Sequence, residues 1–236
     1  MGKNLIQQHR GRGSPTYRAP SFRYSGKVRL NKVTVSSISG VILDLIHCQG
    51  HSAPLMHVLY DNEEEVLMSA PEGVKVGDVL MSGLDVEVKP GNVLPLKNIP
   101  EGTDIYNIES IPGDCGKFVR TSGLSAKIVN KTGSKVIIKF PSNKEREFKE
   151  DCRACIGIIA GAGRIEKPFL KAGKMFHAKR ARNKLWPIVS GVSMNAVTHP
   201  FGGRSSAHKG RPLQAGRDYP PGRKVGSLAP QKKKKK

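Results

Sequence analysis

The pattern of hydrophobic and polar positions changes along the chain. Up to about residue 32, segments such as RGRGSPTYRAPSFRYSGK follow neither a helical nor a strand period, which predicts an extended arm that only a partner orders. From Val33 onward, β-branched runs such as VTVSSISGVILDLIHC are separated by turn residues roughly every ten positions. This spacing predicts a small antiparallel barrel, and the Asp-Asn turn in HVLYDNEEEVLMSA predicts a hairpin within it.

A second set of strand patterns begins near residue 117. The segments LSAKIVNKT and SKVIIKFPSNKEREFK predict strands joined by tight turns, and RACIGIIAGAG predicts a closing strand that leads into a glycine-rich segment. We expect the boundary between the two β units near residues 112–116. The predicted fold class is therefore mainly β, with two small barrels in tandem and a long basic extension at each end.

Beyond Ile165 the chain becomes basic and poor in core-forming residues. The segment PFLKAGKMFHAKRARNKLWP allows one short, imperfectly amphipathic helix, which Pro187 prevents from continuing. The sequence that follows is too rich in glycine and proline to pack alone. The predicted segments are a basic N-terminal extension at 1–36, a first barrel at 37–113, a second barrel with the short helix at 114–190, and a basic C-terminal extension at 191–236.

Charge is concentrated at the two ends of the chain. Residues 1–36 contain eight Lys or Arg and no acid, residues 164–236 contain nineteen against two acids, and the whole chain carries a formal net charge of +21. Such arms repel themselves and condense on a polyanion, so nucleic acid is the first partner to expect. The alternative is that the charge only keeps the protein in solution, but the interleaved glycine, aromatic and amide residues argue against it.

The two predicted barrels also differ in charge. Residues 37–116 contain three basic and thirteen acidic residues, whereas residues 117–163 contain ten basic and four acidic residues. A phosphate backbone attracts the second composition and repels the first. We therefore expect the second barrel to face the nucleic acid.

The composition of the arms favours RNA over DNA. Arginine forks bind phosphates and stack on bases, and glycines let the backbone approach a folded RNA closely. A DNA reader more often presents a regular recognition helix or finger, which this sequence lacks. The candidate RNA-binding residues are Arg10, Arg12, Arg18, Arg23, Lys27, Arg29, Lys127, Lys131, Lys179, Arg180, Arg182, Lys184, Trp186, Asn195, His199, Arg204, His208, Lys209 and Arg211.

His199 is the strongest candidate for catalysis, because a histidine between Thr and Pro beside a glycine pair can act as a general base in a strained turn. Its neighbours Thr198 and Phe201 supply no carboxylate to orient the ring. A neutral His199 and Asn195 are also good hydrogen-bond partners for base edges and 2′-hydroxyls. We predict a binding role and no enzymatic activity.

Cys152 and Cys155 have the spacing of a metal-binding pair, with His47, Cys48 and His51 of the first barrel as the other potential ligands. A single pair is incomplete without a second one. Cys155 precedes an apolar strand, where a small buried side chain is the simpler interpretation. We expect no metal site and no cofactor.

No segment is apolar over enough residues to cross a bilayer, and the start MGKNLIQQHRGRG lacks the apolar stretch of a secretory signal. The four cysteines are too widely spread for the disulfide framework of a small secreted domain. These features predict a reducing cytoplasmic environment and no membrane partner.

Several motifs match a known family in order along the chain. The block SGVSMNAVTHPFGG, preceded by RARNKLWPIV, resembles the signature of the universal large-subunit ribosomal protein two (L-two) family. The segments RGRGSPTYR, GNVLPL, PGDCGK and DCRACIG also match. The short form and the HPFGG variant resemble archaeal members.

The resemblance implies an OB-fold barrel followed by an SH3-like barrel, with both extensions threaded into large-subunit ribosomal RNA. It also implies a structural role in subunit assembly and subunit joining, a position near the peptidyl-transferase region, and contacts with neighbouring large-subunit proteins and with small-subunit components at the interface. The residues that match the family loop near that region are Asn195, His199, Pro200, Gly202 and Gly203.

This sequence departs from the family pattern within the same loop. Thr198 stands where the family usually has Asp, so a His–Asp relay of that form cannot operate here. Ser190 stands where Arg usually precedes Gly-Val, which leaves one expected phosphate contact without its arginine. The alternative function is a cycling translation or transcription factor made of tandem β-barrels, although such factors usually lack two long cationic arms.

Overall fold

The computed structural model of the chain describes residues 6–33, 36–203, 214–220 and 222–228. The polypeptide divides into two compact units. The larger unit comprises residues 21–169, and the smaller one combines residues 1–20 with residues 170–236. Within the described ranges, every helix is too short or too polar to span a bilayer.

The larger unit is built on a single ten-stranded sheet, which confirms the prediction of a mainly β chain. Its strands are β1 (Ile38–Ile46), β2 (Leu55–Tyr60), β3 (Glu65–Ser69), β4 (Val79–Ser82), β5 (Val93–Pro95), β6 (Asp104–Tyr106), β7 (Ala126–Thr132), β8 (Lys135–Lys139), β9 (Glu145–Lys149) and β10 (Arg153–Ile156). Their order across the sheet is β3-β2-β1-β4-β5-β10-β6-β7-β8-β9. The predicted hairpin is confirmed as β2–β3.

The sheet has a strand group at each end. We call β1–β4 the first strand group and β7–β9 the second strand group, with β5, β10 and β6 between them. Side-chain alternation sets the faces: in β8, Val136 and Ile138 are buried while Lys135 and Lys139 are exposed. The register shifts at a bulge around residue 43 in β1 and around residue 129 in β7.

Two hydrophobic cores lie against the sheet, and β10 contributes to both. Cys155 packs in the first core with its register partners Val93 and Tyr106, whereas Ile156 packs in the second core with its register partner Ile105. Successive residues of a strand point to opposite faces. Strand β10 is therefore a shared wall between the two cores.

The second core extends across the boundary that the sequence predicts between residues 113 and 114. It combines Val86, Leu96 and Ile108 with Ile128 and Phe148. Leu96 belongs to a 3-10 turn at Leu96–Asn98. The sheet also continues from the first strand group to the second without a break. The limits of the four predicted segments stay predictions.

Part of the N-terminal extension packs on the sheet, so the expectation of an arm ordered only by a partner is wrong for this part. Val28, Leu30 and Asn31 are buried, with 5%, 1% and 0% of their surface exposed. The backbone N–H of Arg29 donates to the carbonyl of Leu67 in the edge strand β3 at 3.0 Å. Two buried apolar residues, a buried asparagine and a hydrogen bond to the edge strand thus anchor this part of the basic segment.

The smaller unit is mainly turns and short helices. The predicted basic helix is confirmed as α2 (Ala172–Arg180), which ends before Pro187. A helix that the sequence pattern did not predict, α1 (Ile6–Gly11), lies near the N-terminus. The other elements are 3-10 turns at Pro15–Tyr17 and Gly191–Ser193 and a parallel pair of two-residue strands, β11 (Gln214–Ala215) and β12 (Ser227–Leu228).

Candidate nucleic-acid interface

The second strand group carries exposed lysines in facing positions. Lys127 of β7 is in register with Lys139 of β8, and Lys135 of β8 is in register with Lys149 of β9. The Lys135 Nζ lies 2.7 Å from Glu147 Oε2 in an ion pair, and the hydrogen bond between these groups raises the pKa of Lys135. Within the described residues, Lys127 and Lys139 form no ion pair. Because like charges directly opposite each other repel, this pair favours an anion between its ammonium groups.

Two other cations of this group are already held by the protein. The Lys131 Nζ donates to the carbonyl oxygen of Lys97 at 2.6 Å. The Arg146 guanidinium lies 4.8 Å from the ring centroid of Phe118 and 5.4 Å from that of Phe148. Stacking on aromatic rings fixes an arginine without neutralising it. Arg146 therefore presents a fixed positive charge that the sequence did not single out.

Asn183 joins the N-terminal and C-terminal segments of the smaller unit. Its Nδ2 donates to the carbonyl of Thr16 at 2.8 Å and to that of Arg18 at 2.7 Å. Its own carbonyl accepts a hydrogen bond from the Arg10 guanidinium. Its φ of 49° is a left-handed conformation, which asparagine tolerates better than most residues. Arg10, predicted only as an RNA ligand, thus also stabilises this unit.

The other predicted residues differ in exposure. Those with exposed side chains are Arg12, Arg18, Arg23, Lys27, Arg29, Arg180, Lys184 and Asn195. Those that are half-buried are Lys179, Arg182, Trp186 and His199. Arg204, His208, Lys209 and Arg211 lie outside the described residues.

Residues 190–203 form a compact loop that depends on two glycines. A Cβ added to Gly191 would overlap the ring of His199, and one added to Gly202 would overlap the carbonyl of Asn195. The backbone N–H of His199 donates to the same Asn195 carbonyl at 3.1 Å. Only glycine permits this close approach of the chain to itself.

The His199 ring has a defined tautomer in this loop. The backbone N–H of Phe201 donates to His199 Nδ1 at 3.0 Å, and burial lowers the pKa of His199. A neutral imidazole that accepts at Nδ1 carries its hydrogen on Nε2. Nε2 is then a hydrogen-bond donor and cannot take up a proton as a general base. Among the described residues, no carboxylate hydrogen-bonds the ring.

The ring also faces a cavity of about 720 Å³ within the smaller unit. Gln7, Gln8, Tyr219 and Lys224 line it together with His199. Amides, an aromatic ring, an ammonium and an N–H donor are groups that bind unstacked nucleotides and 2′-hydroxyls.

Comparison with known proteins identifies the family of the chain. A family model described as "Ribosomal Proteins L2, C-terminal domain" matches residues 89–221. The large ribosomal subunit protein uL2 of Methanococcus aeolicus is 49% identical over 233 residues, which is 97% of each chain. The uL2 proteins of Methanothermobacter thermautotrophicus and Methanococcoides burtonii are 48% and 47% identical, again over 97% of each chain. The chain belongs to the uL2 family. The resemblance seen in the sequence motifs is thus confirmed.

The cysteines of this uL2-family chain do not converge. Cys152 packs in the second core and Cys155 in the first, while Cys48 packs separately with Val28 and Leu55. Burial raises the pKa of Cys152 to about 11 and that of Cys155 to about 12, whereas a metal ligand must be a thiolate. Across the described ranges, no group of three or more Cys, His, Asp or Glu side chains is arranged to hold a metal ion.

Proposed function

We propose that this chain is a structural protein of the large ribosomal subunit, which binds large-subunit ribosomal RNA near the peptidyl-transferase region and supports subunit assembly and association. The observation that carries the proposal is its match to curated uL2 proteins over 97% of both chains. The net charge of +21, concentrated in the terminal segments, supplies the attraction for RNA that this role requires.

We further propose that the first strand group and first core correspond to an OB-fold barrel, and the second strand group and second core to an SH3-like barrel. In this arrangement the second barrel faces RNA through Lys127, Lys131 and Lys139. The basic segments 1–36 and 191–236 neutralise phosphates where RNA helices converge. Two separate cores, each with its own strand group, support the assignment.

The loop at residues 190–203 provides local recognition in this proposal. The Nε2–H of His199 and the exposed amide of Asn195 are donors for base edges or 2′-hydroxyls. His199 serves here as a binding residue and not as a general base, because the Phe201 N–H occupies its acceptor nitrogen Nδ1. The Arg candidates at positions 12, 23 and 29 are exposed and are assigned to phosphates.

The expected partners are large-subunit ribosomal RNA, neighbouring large-subunit proteins and small-subunit components at the interface, in cytoplasmic ribosomes. A cycling factor would leave the particle when ionic contacts are weakened. Co-sedimentation with large subunits through a high-salt wash separates the two functions. One copy per subunit after the wash supports the structural role, and release into the supernatant supports the cycling factor.

A salt series of binding to large-subunit ribosomal RNA, with an unrelated structured RNA as competitor, tests the RNA-binding role. We expect affinity to fall steeply with salt while the preference for ribosomal RNA persists. A matched pair of triple Lys→Glu variants tests the orientation: Lys127, Lys131 and Lys135 in one, and Lys75, Lys89 and Lys97 in the other. The first variant should bind more weakly than the second, and equal losses would contradict the assignment of RNA to the second strand group.

A further inference from the structure

Apolar side chains, one of them half-buried and the others exposed, form a row on the outer face of the first strand group. The register places Leu59 of β2 opposite Val41 of β1, and Val41 opposite Val79 of β4. Val41 and Val79 keep 38% and 62% of their surface exposed. Leu43 at the β1 bulge and Met81 in β4 are also exposed. Contiguous exposed apolar side chains of this kind are typical of protein interaction surfaces.

Carboxylates border this row. Glu65 of β3 is the register partner of Leu59 and continues the row to the sheet edge. Asp44 follows the bulge at Leu43 in β1. Asp61 lies near the start of β1, where its carboxylate accepts a hydrogen bond from the Ser39 hydroxyl. We call this surface the acidic–apolar face, with an apolar row of Val41, Leu43, Leu59, Val79 and Met81 and a rim of Asp44, Asp61 and Glu65.

His57 Nε2 already lies 3.2 Å from Glu65 Oε2, and the exposed Arg29 and Lys32 lie along the edge of β3. Few other basic residues offset these carboxylates. Residues 37–116 contain thirteen acidic residues and only three lysines. Two of those lysines are themselves paired: Lys89 contacts Glu87 at 2.7 Å, and Lys97 contacts Asp151 at 2.9 Å. The first strand group therefore presents a negative field, in contrast to the facing lysines of the second strand group.

We propose that the acidic–apolar face docks a lysine- and arginine-rich segment of a neighbouring large-subunit protein. Aliphatic side chains of that segment pack on the Val41 row, and its basic side chains pair with the rim carboxylates. This inference rests on the proposed function, because a large-subunit position supplies such a neighbour. It adds that the two strand groups serve different partners, protein on one and RNA on the other.

Other occupants fit the face less well. Phosphates would be repelled by the rim, and apolar side chains give them no hydrogen-bond donor. A second copy of this face would place carboxylates against carboxylates. The chain's own Lys232–Lys236 run has the complementary charge but no apolar side chain for the Val41 row.

Site-specific photo-cross-linking in assembled large subunits tests the proposal. A photoreactive amino acid replaces Leu43 in the full chain, and a matched variant carries it at Val129, which is 43% exposed in the second strand group. We expect the position 43 adduct to resist nuclease, to be lost on protease treatment and to contain a basic peptide of another protein. We expect the position 129 adduct to be lost on nuclease treatment. RNA, a second copy, a non-basic peptide or no adduct at position 43 would each overturn the docking inference. Failure of position 129 to reach RNA would instead count against the proposed RNA-binding orientation.

A charge-sign comparison at the same face provides an independent test. Val79→Lys and Val79→Glu both remove apolar area but add opposite charges. With a basic partner, Val79→Lys should reduce the position 43 cross-link several-fold more than Val79→Glu. The reverse order would contradict a basic partner, and equal yields would show that the face contributes no charge recognition and would overturn the proposal.

Discussion

Arg153 and Glu109 form a buried ion pair that is hydrogen-bonded through both side chain and backbone. The Arg153 Nη2 lies 2.8 Å from Glu109 Oε1, and the Arg153 backbone N–H donates to Glu109 Oε2 at 2.9 Å. The Glu109 backbone N–H in turn donates to the Arg153 carbonyl at 3.0 Å. Arg153 Nη1 reaches the carbonyl of Asn31 at 2.9 Å, so the pair also fixes the buried end of the N-terminal extension.

Replacing Glu109 by Gln should destabilise the larger unit, because it leaves the Arg153 guanidinium buried without its counter-charge. Loss of one partner from a buried pair costs about 3–5 kcal/mol of unfolding free energy. Urea denaturation followed by far-ultraviolet circular dichroism measures this loss through the sheet. A double variant, Glu109→Leu with Arg153→Met, should lose less than the single one, because no charge then stays buried.

The exposed pair of Lys135 and Glu147 is the control for this prediction. Its atoms are 2.7 Å apart, but both side chains are about three-fifths exposed. Solvent screens such a pair, so Glu147→Gln should leave the urea midpoint unchanged within error. Equal midpoints for Glu109→Gln and Glu147→Gln would show that burial does not strengthen the Arg153 pair.

Asn183→Ala should loosen the N-terminal segment of the smaller unit. It removes the two hydrogen bonds to Thr16 and Arg18 and places a Cβ-bearing residue without a polar side chain at a φ of 49°. The bonds account for about 1–3 kcal/mol of local opening free energy. Hydrogen exchange of the Tyr17 amide, which donates to Ser14 at 2.9 Å, reports this opening.

Asn183→Gly separates the loss of the side-chain hydrogen bonds from the strain of the left-handed backbone. Glycine adopts this backbone conformation readily, so the variant loses only the side-chain hydrogen bonds. Its exchange rate should lie between those of the wild type and Asn183→Ala. Asn130→Ala, at an exposed position of β7, should leave the Tyr17 amide unaffected. Unchanged protection in both Asn183 variants would refute the joining role of this residue.

The thiols of Cys152 and Cys155 should be chemically inert in the folded protein. Burial raises their pKa values to about 11 and about 12, so roughly one part in a thousand or less is thiolate at pH 8. Iodoacetamide at that pH should label the half-buried Cys115 well before either of them. Peptide mass spectrometry, with a guanidinium-unfolded sample as control, measures the order. Native labelling of Cys155 at the rate of Cys115 would contradict the shared-wall packing of β10.

Acidification should open the loop at residues 190–203. Burial lowers the folded-state pKa of His199 below its ordinary 6.5, so as pH falls the unfolded loop takes up a proton first. The contribution of the Phe201 N–H to Nδ1 bond is therefore complete above pH 6.5 and is lost as pH falls through the lowered pKa. Exchange of the Phe201 amide between about pH 5 and pH 8, corrected for its intrinsic rate, measures this change. His199→Ala should abolish the pH dependence, and its persistence there would assign the effect to another group.

Sequence patterns predict the parts of this fold that depend on neighbours in the chain. The alternation in β8 and the turn between β2 and β3 are local, so both elements are predicted correctly. The run RACI is also predicted as a strand, but an unbroken apolar run does not reveal which strands flank it. Its position between β5 and β6 appears only in the structure.

For the candidate-site residues, too, the sequence predicts what is local and misses what depends on distant parts of the chain. Composition shows that the terminal segments are rich in lysine and arginine. It does not show which of these side chains bind other parts of the protein and which stay exposed. Arg10 turns toward the Asn183 carbonyl, and Arg153 toward Asn31, across distances in sequence that no local pattern spans. The facing of Lys127 and Lys139 likewise depends on strand register, which the bulge at residue 129 alters.

The position of β10 in the sheet also determines when the two hydrophobic cores can be completed during synthesis of the chain. Translation delivers β5 and β6 first, then all of β7–β9, and only afterwards the strand that lies between β5 and β6. Until Cys155 has emerged, Val93 and Tyr106 lack the neighbour that joins them, and the first core stays open. Neither core can therefore be completed before β10 has been synthesised, because Cys155 belongs to the first core and Ile156 to the second.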